Sequence, residues 1–242
     1  MRLDEALVAA GLYASRARAR DAVLRGVVRV NGEPARKASQ TISDKDRLSA
    51  EDEAREYVSR AALKLIHALD HFRLDVTGAR ALDVGASTGG FTQVLLARGA
   101  AHVVALDVGH GQLAESLRAD RRVTVMEGFN ARNLTADDLP YAPDVIVSDV
   151  SFISLTLALA PALQIAGAGA RLVALIKPQF EAGREALGKG GIVRDAGVHQ
   201  AVCADVQSWI AAQGFDILGL EASPVEGGDG NREFLIAARK AG

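Results

Sequence analysis

Residues 81–91 read Ala-Leu-Asp-Val-Gly-Ala-Ser-Thr-Gly-Gly-Phe, a short apolar run that reaches an acid and then continues into glycines. The run predicts a buried strand, Ala81–Val84, then a glycine turn, and then a helix that begins at Phe91. Because glycine has no Cβ, its main chain can approach a ligand closely. Ligands of wound α/β sheets bind at the carboxyl ends of the strands, so this turn is a candidate binding site. A purely structural turn is the alternative.

From about residue 79 onward the chain alternates short apolar strands with helices. Strands are predicted at Ala81–Val84, His102–Asp107, Val123–Glu127, Asp144–Ser148, Arg171–Ile176, Phe215–Leu220 and Glu233–Ala238. Helices are predicted at Phe91–Arg98, Gln112–Ala119, Leu157–Ala166 and Gly197–Gln213. This alternation indicates an α/β fold with a mainly parallel sheet that is covered on both faces. No helix separates the last two strands, so the last one should run antiparallel. That is the pattern of the seven-stranded, Rossmann-like methyltransferases.

The spacing of the glycines favours one class of ligand. Gly85, Gly89 and Gly90 form G-x-x-x-G-G, which lacks the dinucleotide fingerprint and the Lys-Ser/Thr ending of a phosphate loop. Asp107 ends the second strand, where a carboxylate suits two ribose hydroxyls. A cationic ligand with a ribose and no phosphate fits both features, so S-adenosylmethionine is the predicted cofactor. The residues predicted to bind it are Asp83, Gly85, Ser87, Gly89, Gly90, Phe91, Asp107, Val108 and Gly109.

Four charged residues are predicted to meet at the same edge of the sheet. Lys64 lies on the helix before the first strand, and Glu233 begins the last strand. Asp149 and Lys177 end the fourth and fifth strands. Such a set beside a methyl donor suits the activation of a hydroxyl, which is a poor nucleophile until its proton leaves. Lys177 is the predicted base and Asp149 its partner, while Lys64 and Glu233 orient them. The sequence leaves open which lysine is neutral.

The amino-terminal part of the chain is basic, although the whole chain has a net charge of −2. Residues 1–50 have a net charge of +4 and residues 51–242 a net charge of −6. A small basic module on an acidic body predicts that the module meets a polyanion. The charge-dense segment 49–58 reads as a linker, so the predicted domains are residues 1–58 and residues 59–242.

The basic module is predicted to be a small α+β domain. Its second helix, Arg16–Arg25, has Ser15 as a suitable N-cap. Asn31-Gly32 predicts a tight turn between two strands. The arginines of the helix and of the following strand suit contacts with nucleic-acid phosphates, although a solvated arginine-rich helix is the alternative. The residues predicted to bind RNA are Arg16, Arg18, Arg20, Arg25 and Arg29.

Two stretches of the chain resemble known families. Residues 1–50 resemble the RNA-binding domain first described in small-subunit ribosomal protein S-four, through LDEALVAAGLYASRARARDAVLRGVVRVNG. Over nearly its whole length the chain resembles the TlyA-type proteins, which join such a domain to an FtsJ-like methyltransferase domain. The motifs behind this resemblance are YVSRAALKL, ALDVGASTGGFT, ALDVGHGQL, EGFNARNL, SDVSFISL, LIKPQFE and GNREFL.

The resemblance implies a function and further site residues. It implies methylation of a ribose 2′-hydroxyl, of cytidine, in ribosomal RNA, with Lys64, Asp149, Lys177 and Glu233 as a Lys-Asp-Lys-Glu tetrad. It also implies that residues 127–131 line the adenosine pocket, which adds Asn130 to the predicted cofactor-binding residues. The chain departs from the expected pattern at Gly111, where a bulkier polar residue is expected. The target nucleotide, the ribosomal subunit and the oligomeric state stay open.

Composition and patterning weigh against several other classes of protein. Hydrophobic residues make up 49% of the chain and charged residues 24%, the balance of a soluble globular protein. The single cysteine, Cys203, excludes an internal disulfide. Residues 153–170 are uncharged, but Pro161 and the glycines favour a helix, a turn and a strand over a membrane span. The amino terminus does not read as a signal peptide, so a cytoplasmic protein is expected. The histidines lack metal-ligand spacing, so no metal is expected.

Three other functions remain as alternatives to RNA methylation. The first is an RNA-binding factor in ribosome assembly without catalysis, which would have no need of the four charged residues. The second is a pore-forming haemolysin, disfavoured because the sequence offers no credible spanning helix. The third is a small-molecule methyltransferase, against which the basic module counts.

Overall fold

The computed structural model describes residues 1–227 and 230–242, and the chain forms two compact units, residues 1–57 and 58–242. The first unit contains two helices and a small sheet: α1 (Leu3–Ala9), α2 (Arg16–Leu24), β1 (Val28–Val30), β2 (Glu33–Pro34) and β3 (Leu48–Ala50). Its three strands are antiparallel, in the order β2-β1-β3. The side chains of Leu3, Leu7 and Val28 are fully buried in its core.

Local signals in the sequence account for the ends of these elements. The Ser15 hydroxyl caps α2 by accepting a hydrogen bond from the Arg18 amide, as predicted. Asn31 and Gly32 have φ values of 56° and 87°, the positive values that the predicted tight turn requires at both positions. A 3-10 turn, Glu53–Glu56, follows the sheet.

The second unit is a wound sheet with helices. Its strands are β4 (Arg80–Val84), β5 (His102–Asp107), β6 (Val123–Glu127), β7 (Val145–Ser148), β8 (Arg171–Ile176), β9 (Phe215–Ala222) and β10 (Phe234–Lys240). Its helices are α3 (Ala62–His71), α4 (Gly90–Ala97), α5 (Glu115–Arg118), α6 (Leu155–Ile165), α7 (Pro178–Glu181) and α8 (Ala196–Ala212). The order of the seven strands is β6-β5-β4-β7-β8-β10-β9. The strands from β4 to β8 are parallel, and β10 is antiparallel to both neighbours. The predicted fold class is confirmed.

The order of the strands positions the candidate site. Strand β4 lies in the middle of the parallel part, between β5 and β7. The carboxyl ends of these three strands and of β8 therefore share one edge of the sheet. Because β10 runs in the opposite direction, its start lies at that edge too. Buried apolar side chains such as Leu82, Ile146 and Ile236 fill the core and fix the strands in this order.

Some predicted boundaries differ from the structure. The helix predicted to carry Lys64, α3, begins at Ala62, and the Ala62 amide donates to the Ser59 carbonyl in a turn that precedes it. Helix α5 covers only Glu115–Arg118. The amides of Gln112 and Leu113, which were expected to belong to this helix, donate to a glutamate side chain on β6 instead.

The uncharged segment 153–170 does not form a single long helix. It contains α6, which has 11 residues, followed by a turn that leads into β8. Among the described residues, no helix has both the length and the apolar character needed to cross a membrane.

Candidate active site

The four charged residues predicted for catalysis lie together at the carboxyl edge of the parallel strands. Lys64 Nζ donates a hydrogen bond of 2.6 Å to Glu233 Oε2. Lys177 Nζ lies 2.6 Å from Asp149 Oδ1 as an ion pair. The second oxygen of Asp149 is 3.8 Å from Lys64 Nζ. Asp149 thus stands between two lysines, and the charges alternate from Glu233 to Lys177.

Burial makes this arrangement of charges unusual. Lys64 and Lys177 are each 6% exposed and Glu233 is 3% exposed. Lysine and glutamate are seldom buried unless they are paired, because removing a charge from water is costly. The pairing found here therefore lets two cations and two carboxylates remain at a site that is partly closed to solvent.

Ser151 also belongs to this cluster, although it was not among the residues predicted from the sequence. Lys177 Nζ donates a hydrogen bond of 2.7 Å to Ser151 Oγ, and Ser151 is exposed. The hydroxyl connects the buried Lys177 with the surface, whereas Lys64 is bonded to the buried carboxylate of Glu233. The position of Ser151, two residues after Asp149 in SDVSF, was the available signal.

The glycine turn after β4 is required by packing as well as by conformation. Gly85 and Gly89 have φ values of 84° and 97°. A Cβ on Gly85 would lie 2.9 Å from Val150 Cγ1, and one on Gly89 would lie 2.3 Å from Leu117 Cδ1. A Cβ on Gly90 would lie 2.7 Å from Ser59 Oγ. These glycines therefore let the turn pack closely against neighbouring side chains, which is the structural role named above as the alternative to ligand binding.

Asp83, the acid at the end of the opening stretch, is fully buried. Thr92 Oγ1 donates a 2.7 Å hydrogen bond to Asp83 Oδ2, while Oδ1 has no hydrogen-bond partner within the described residues. Burial raises the pKa of this carboxyl to about 7, and the nearby Asp149 and Asp107 add to the effect. An unpartnered buried oxygen is costly, and a cationic ligand group would compensate for it.

Asp107, at the end of β5, joins the two neighbouring turns. Its carboxylate accepts hydrogen bonds from the Ser87 amide at 2.8 Å and the Gly109 amide at 2.7 Å. Ser87 has a φ of 48°, and its hydroxyl donates to Gln112 Oε1 at 3.2 Å. Gln112, which the sequence analysis did not single out, thus belongs to the same polar group. Val108 beside it is 69% exposed.

Glu127 holds the loop that follows Asp107. Its carboxylate accepts hydrogen bonds from the amides of Gly111, Gln112 and Leu113, at 2.8 to 3.0 Å, and from the Arg118 side chain at 2.7 Å. These donors lower the pKa of Glu127 to about 2, and the hydrogen bond from the Leu113 amide has the largest effect. Gly111, the position at which a bulkier residue was expected, has a φ of 63° and donates one of these bonds.

Two other residues predicted to bind the cofactor have structural partners. The Asn130 side chain accepts a hydrogen bond from the Arg132 amide and caps the 3-10 turn Ala131–Asn133. The Phe91 side chain is 3% exposed and packs in helix α4.

The arginines predicted to bind RNA fall into two groups in the amino-terminal unit. Arg18 donates hydrogen bonds to the carbonyls of Ala54 and Tyr57. Arg25 forms a bidentate interaction with Asp52, with one hydrogen bond to each carboxylate oxygen. The Asp52 side chain is 2% exposed. Arg18 and Arg25 thus fix the segment after β3, which limits their availability to RNA.

The other predicted arginines face solvent to a larger extent. Arg16 and Arg20 are exposed and lie one turn apart on α2, where Arg16 pairs with Asp4 and Glu5. Arg29, on β1, is half-buried and donates to the Gly32 carbonyl at 3.2 Å. Arg20 is thus the position on this helix best placed to meet a partner.

An exposed aromatic side chain lies in the loop that follows β7. Phe152 is 92% exposed and has a φ of 65°, which is rare for a bulky residue. Its ring centroid lies 5.2 Å from that of Phe180. The two rings follow Asp149 and Lys177 by three residues each, so they form an aromatic surface next to the charged cluster.

If β4 is counted as strand 1, the order of the large sheet is 3-2-1-4-5-7-6. This order, with a glycine turn after strand 1 and an acid at the end of strand 2, defines the class of Rossmann-like methyltransferases. The family model for FtsJ-like methyltransferases matches residues 57–240, and the S4 domain model matches residues 1–48.

Relatives and solved structures agree with this class. The chain is 46% identical over 239 residues to the 16S/23S rRNA (cytidine-2'-O)-methyltransferase TlyA of Mycobacterium tuberculosis, covering 98% of this chain and 89% of the relative. It is 42% identical over 236 residues to Hemolysin A of Brachyspira hyodysenteriae, covering 97% and 98%. The solved structure of a hemolysin-named protein from Streptococcus thermophilus matches with a TM-score of 0.80 and 43% identity, covering 100% and 88%. The chain belongs to the TlyA family of FtsJ-like methyltransferases with an S4 domain, as its resemblance implied.

Proposed function

We propose that this protein transfers a methyl group from S-adenosylmethionine to the 2′-hydroxyl of a ribose, in a cytidine of ribosomal RNA. The observation that carries this proposal is the buried cluster of Lys64, Asp149, Lys177 and Glu233 at the carboxyl edge of the sheet. The name of the Mycobacterium tuberculosis relative supports the choice of nucleoside and of RNA.

The residues around the glycine turn suit this cofactor. S-adenosylmethionine supplies an electrophilic methyl group on a cationic sulfonium, together with an ammonium group and a ribose. Asp83 offers an unpartnered carboxylate oxygen to a cationic group. Asp107 and Gln112, on the adjacent turn, offer polar atoms to ribose hydroxyls. We assign these residues, with Gly85, Gly89 and the segment that contains Asn130, to the cofactor.

The cluster also suggests how the hydroxyl is activated. In its neutral form, Lys177 would accept the proton of the 2′-hydroxyl as the oxygen bonds to the methyl carbon and the sulfur leaves with its electron pair as a thioether. Lys177 is the better base of the two lysines because its hydrogen bond leads to the exposed Ser151. Lys64 is hydrogen-bonded to Glu233 and lies 3.8 Å from Asp149, so it would orient the Asp149 carboxylate.

The two units suit different parts of this task. We propose that residues 1–58 bind RNA, with Arg20 and Arg16 in contact with phosphates, and that residues 59–242 perform catalysis. The basic charge of the first module supports the first role. The exposed Phe152 in the second unit supports an RNA substrate, because aromatic rings stack on bases.

A methyl-transfer assay tests the proposal. Unmodified ribosomal subunits are incubated with tritiated S-adenosylmethionine and either the wild type or Lys177→Ala. We expect label in a dinucleotide that resists alkali, as a 2′-O-methyl group requires, and a loss of at least about 100-fold in the variant because a general base is removed. Equal labelling by both proteins would exclude Lys177 as the base. Intact cofactor binding without labelled RNA would favour another substrate or a non-catalytic assembly factor.

A further inference from the structure

Glu181 connects the two loops that hold the candidate catalytic residues. One loop, residues 149–154, joins β7 to α6, and Glu181 is the last residue of α7, which directly follows Lys177. Glu181 Oε1 accepts a hydrogen bond of 2.6 Å from the Leu155 amide. Glu181 Oε2 accepts one of 2.7 Å from the Ser154 hydroxyl.

The bond to Leu155 replaces a local cap of helix α6. Ser154 is the N-cap residue of this helix, but its side chain does not cap it; its hydroxyl lies against Glu181 and Thr156 instead. The carboxylate of Glu181 therefore satisfies a free amide at the helix start, where a negative charge is favourable. The start of α6 thus depends on a residue that belongs to the loop of Lys177.

Contacts between the two loops follow each other in chain order. Asp149 and Ser151 meet Lys177, then Phe152 meets Phe180, and finally Ser154 and Leu155 meet Glu181. We call this series of contacts the loop clasp. The contacts at its two ends are polar and the contact in its middle is aromatic. Lys177 therefore holds the start of the loop, and Glu181 holds its end.

The middle of the clasp contains strained backbone. Phe152 has a φ of 65°, and a bulky residue in this region is strained. Such a conformation persists only where surrounding contacts enforce it. Without Glu181, the carboxyl end of the loop would lose both polar contacts of its anchor, and Phe152 could relax towards a negative φ. That relaxation would move Ser151 and Asp149, which lie next to Phe152 in the chain.

We propose that Glu181 is a positioning residue for methyl transfer, because it keeps Asp149 and Ser151 in register with Lys177 through the loop clasp. The role rests on the proposed function and adds to it a residue outside the tetrad that acts only through its neighbours. The other reading is that Glu181 is merely a helix cap, which would affect stability and not the chemical step.

Three variants separate these roles: Glu181→Ala, Glu181→Gln and Asp195→Ala. Glu181→Gln keeps an oxygen that can accept from the Leu155 amide. Asp195→Ala is the matched control, because Asp195 caps α8 through the amides of Gly197 and Val198 and has no part in the loop clasp. For each variant, kcat and KM for RNA, the Kd for S-adenosylmethionine and the melting temperature are measured, the kinetics well below melting.

We expect Glu181→Ala to lower kcat by about tenfold to 100-fold, because a small misplacement of reacting groups has this effect. The Kd for S-adenosylmethionine should stay within about twofold, and Glu181→Gln should retain kcat within about fivefold, since its remaining oxygen can replace the bond to the helix. Asp195→Ala should lower the melting temperature and leave kcat unchanged. An unchanged kcat in Glu181→Ala, with a lower melting temperature, would reduce Glu181 to a helix cap.

The wild type decides whether the underlying function holds. A wild type that binds S-adenosylmethionine and methylates no ribosomal RNA would overturn the proposed function, and the assigned role of Glu181 with it. An active wild type with fully active Glu181→Ala would overturn only the role of Glu181. Amide exchange at Leu155 is measured in parallel, and faster exchange in Glu181→Ala is expected because the bond to Glu181 is lost.

Discussion

Asp83 has an environment unlike that of a surface acid. It is fully buried and accepts a side-chain hydrogen bond only from Thr92 within the described residues. Burial raises its pKa to about 7, above the value of about 4 in an unfolded chain. The folded protein therefore holds this proton more tightly. The contribution of Asp83 to stability is largest below about pH 4 and falls as the pH rises towards 7.

This pKa leads to a prediction about cofactor binding. A cationic ligand prefers the ionised form of Asp83, so the affinity for S-adenosylmethionine should increase between about pH 6 and about pH 8. In Asp83→Asn the affinity should be weaker and should change less over this range. Calorimetric titrations of both proteins at several pH values measure the difference. A parallel pH dependence in the two proteins would separate Asp83 from the binding site.

At the scale of single residues, the sequence predicts the charged cluster but not its partners. Asp149 and Lys177 directly follow predicted strands, so their place at the sheet edge follows from the direction of the strands. Ser151, Phe152 and Glu181 could not be placed in this way. Their roles depend on contacts between two loops, and the spacing of residues within one loop does not encode such contacts.

At the scale of elements, the strands could be predicted closely and the short helices less well. Strands β5, β6 and β8 have the predicted bounds. For β5 and β8 the reason is that nearly continuous apolar runs identify strands that are buried on both faces. Helix α5 is shorter than predicted: the amides of Gln112 and Leu113, at its predicted start, lie in a loop and donate to Glu127 on β6. The local helical spacing does not reveal this long-range contact.

Because Glu127 holds the β5–α5 loop, we predict that its removal weakens cofactor binding. Glu127→Ala removes the acceptor of three loop amides, so the loop that contains Gly109 and Gln112 should lose its fixed shape. We expect the affinity for S-adenosylmethionine to fall about tenfold, because the polar atoms that this loop offers are no longer held in place before binding. Calorimetry on Glu127→Ala measures this affinity. The control is Asp138→Ala, which removes the capping interaction of the 3-10 turn Ala136–Asp138.

The contribution of Glu127 to stability should change with pH in the opposite direction to that of Asp83. Hydrogen bonds from the Leu113 amide and from Arg118 lower the pKa of Glu127 to about 2. Its contribution to stability is therefore present above the unfolded pKa of about 4 and is lost as the pH falls towards 2. Acid unfolding of Glu127→Ala should show a smaller decrease of stability in this window than that of the wild type.

At the scale of the whole molecule, charge is divided between the two parts of the chain. Residues 1–50 are basic and the remainder is acidic, so the attraction of RNA should depend mainly on the first unit. The sequence predicts this asymmetry, but it cannot distinguish arginines that face a partner from those that bind the protein itself. Arg18 and Arg25 use their donors within their own unit, and only the structure separates them from Arg20.

The different contacts of Arg20 and Arg25 predict that their substitution affects different properties, RNA binding for Arg20 and stability for Arg25. Arg20→Ala should weaken RNA binding and reduce the slope of log affinity against log salt by about one, because one phosphate contact is lost. Its melting temperature should stay unchanged. Arg25→Ala leaves Asp52 with Tyr13 as its remaining side-chain donor in the described residues, so it should reduce the free energy of unfolding by about 1 to 3 kcal/mol. RNA-binding titrations at several salt concentrations and thermal unfolding measure both effects. If Arg25→Ala changed the salt slope while its stability stayed that of the wild type, Arg25 would be a phosphate contact and the division of the arginines would be wrong.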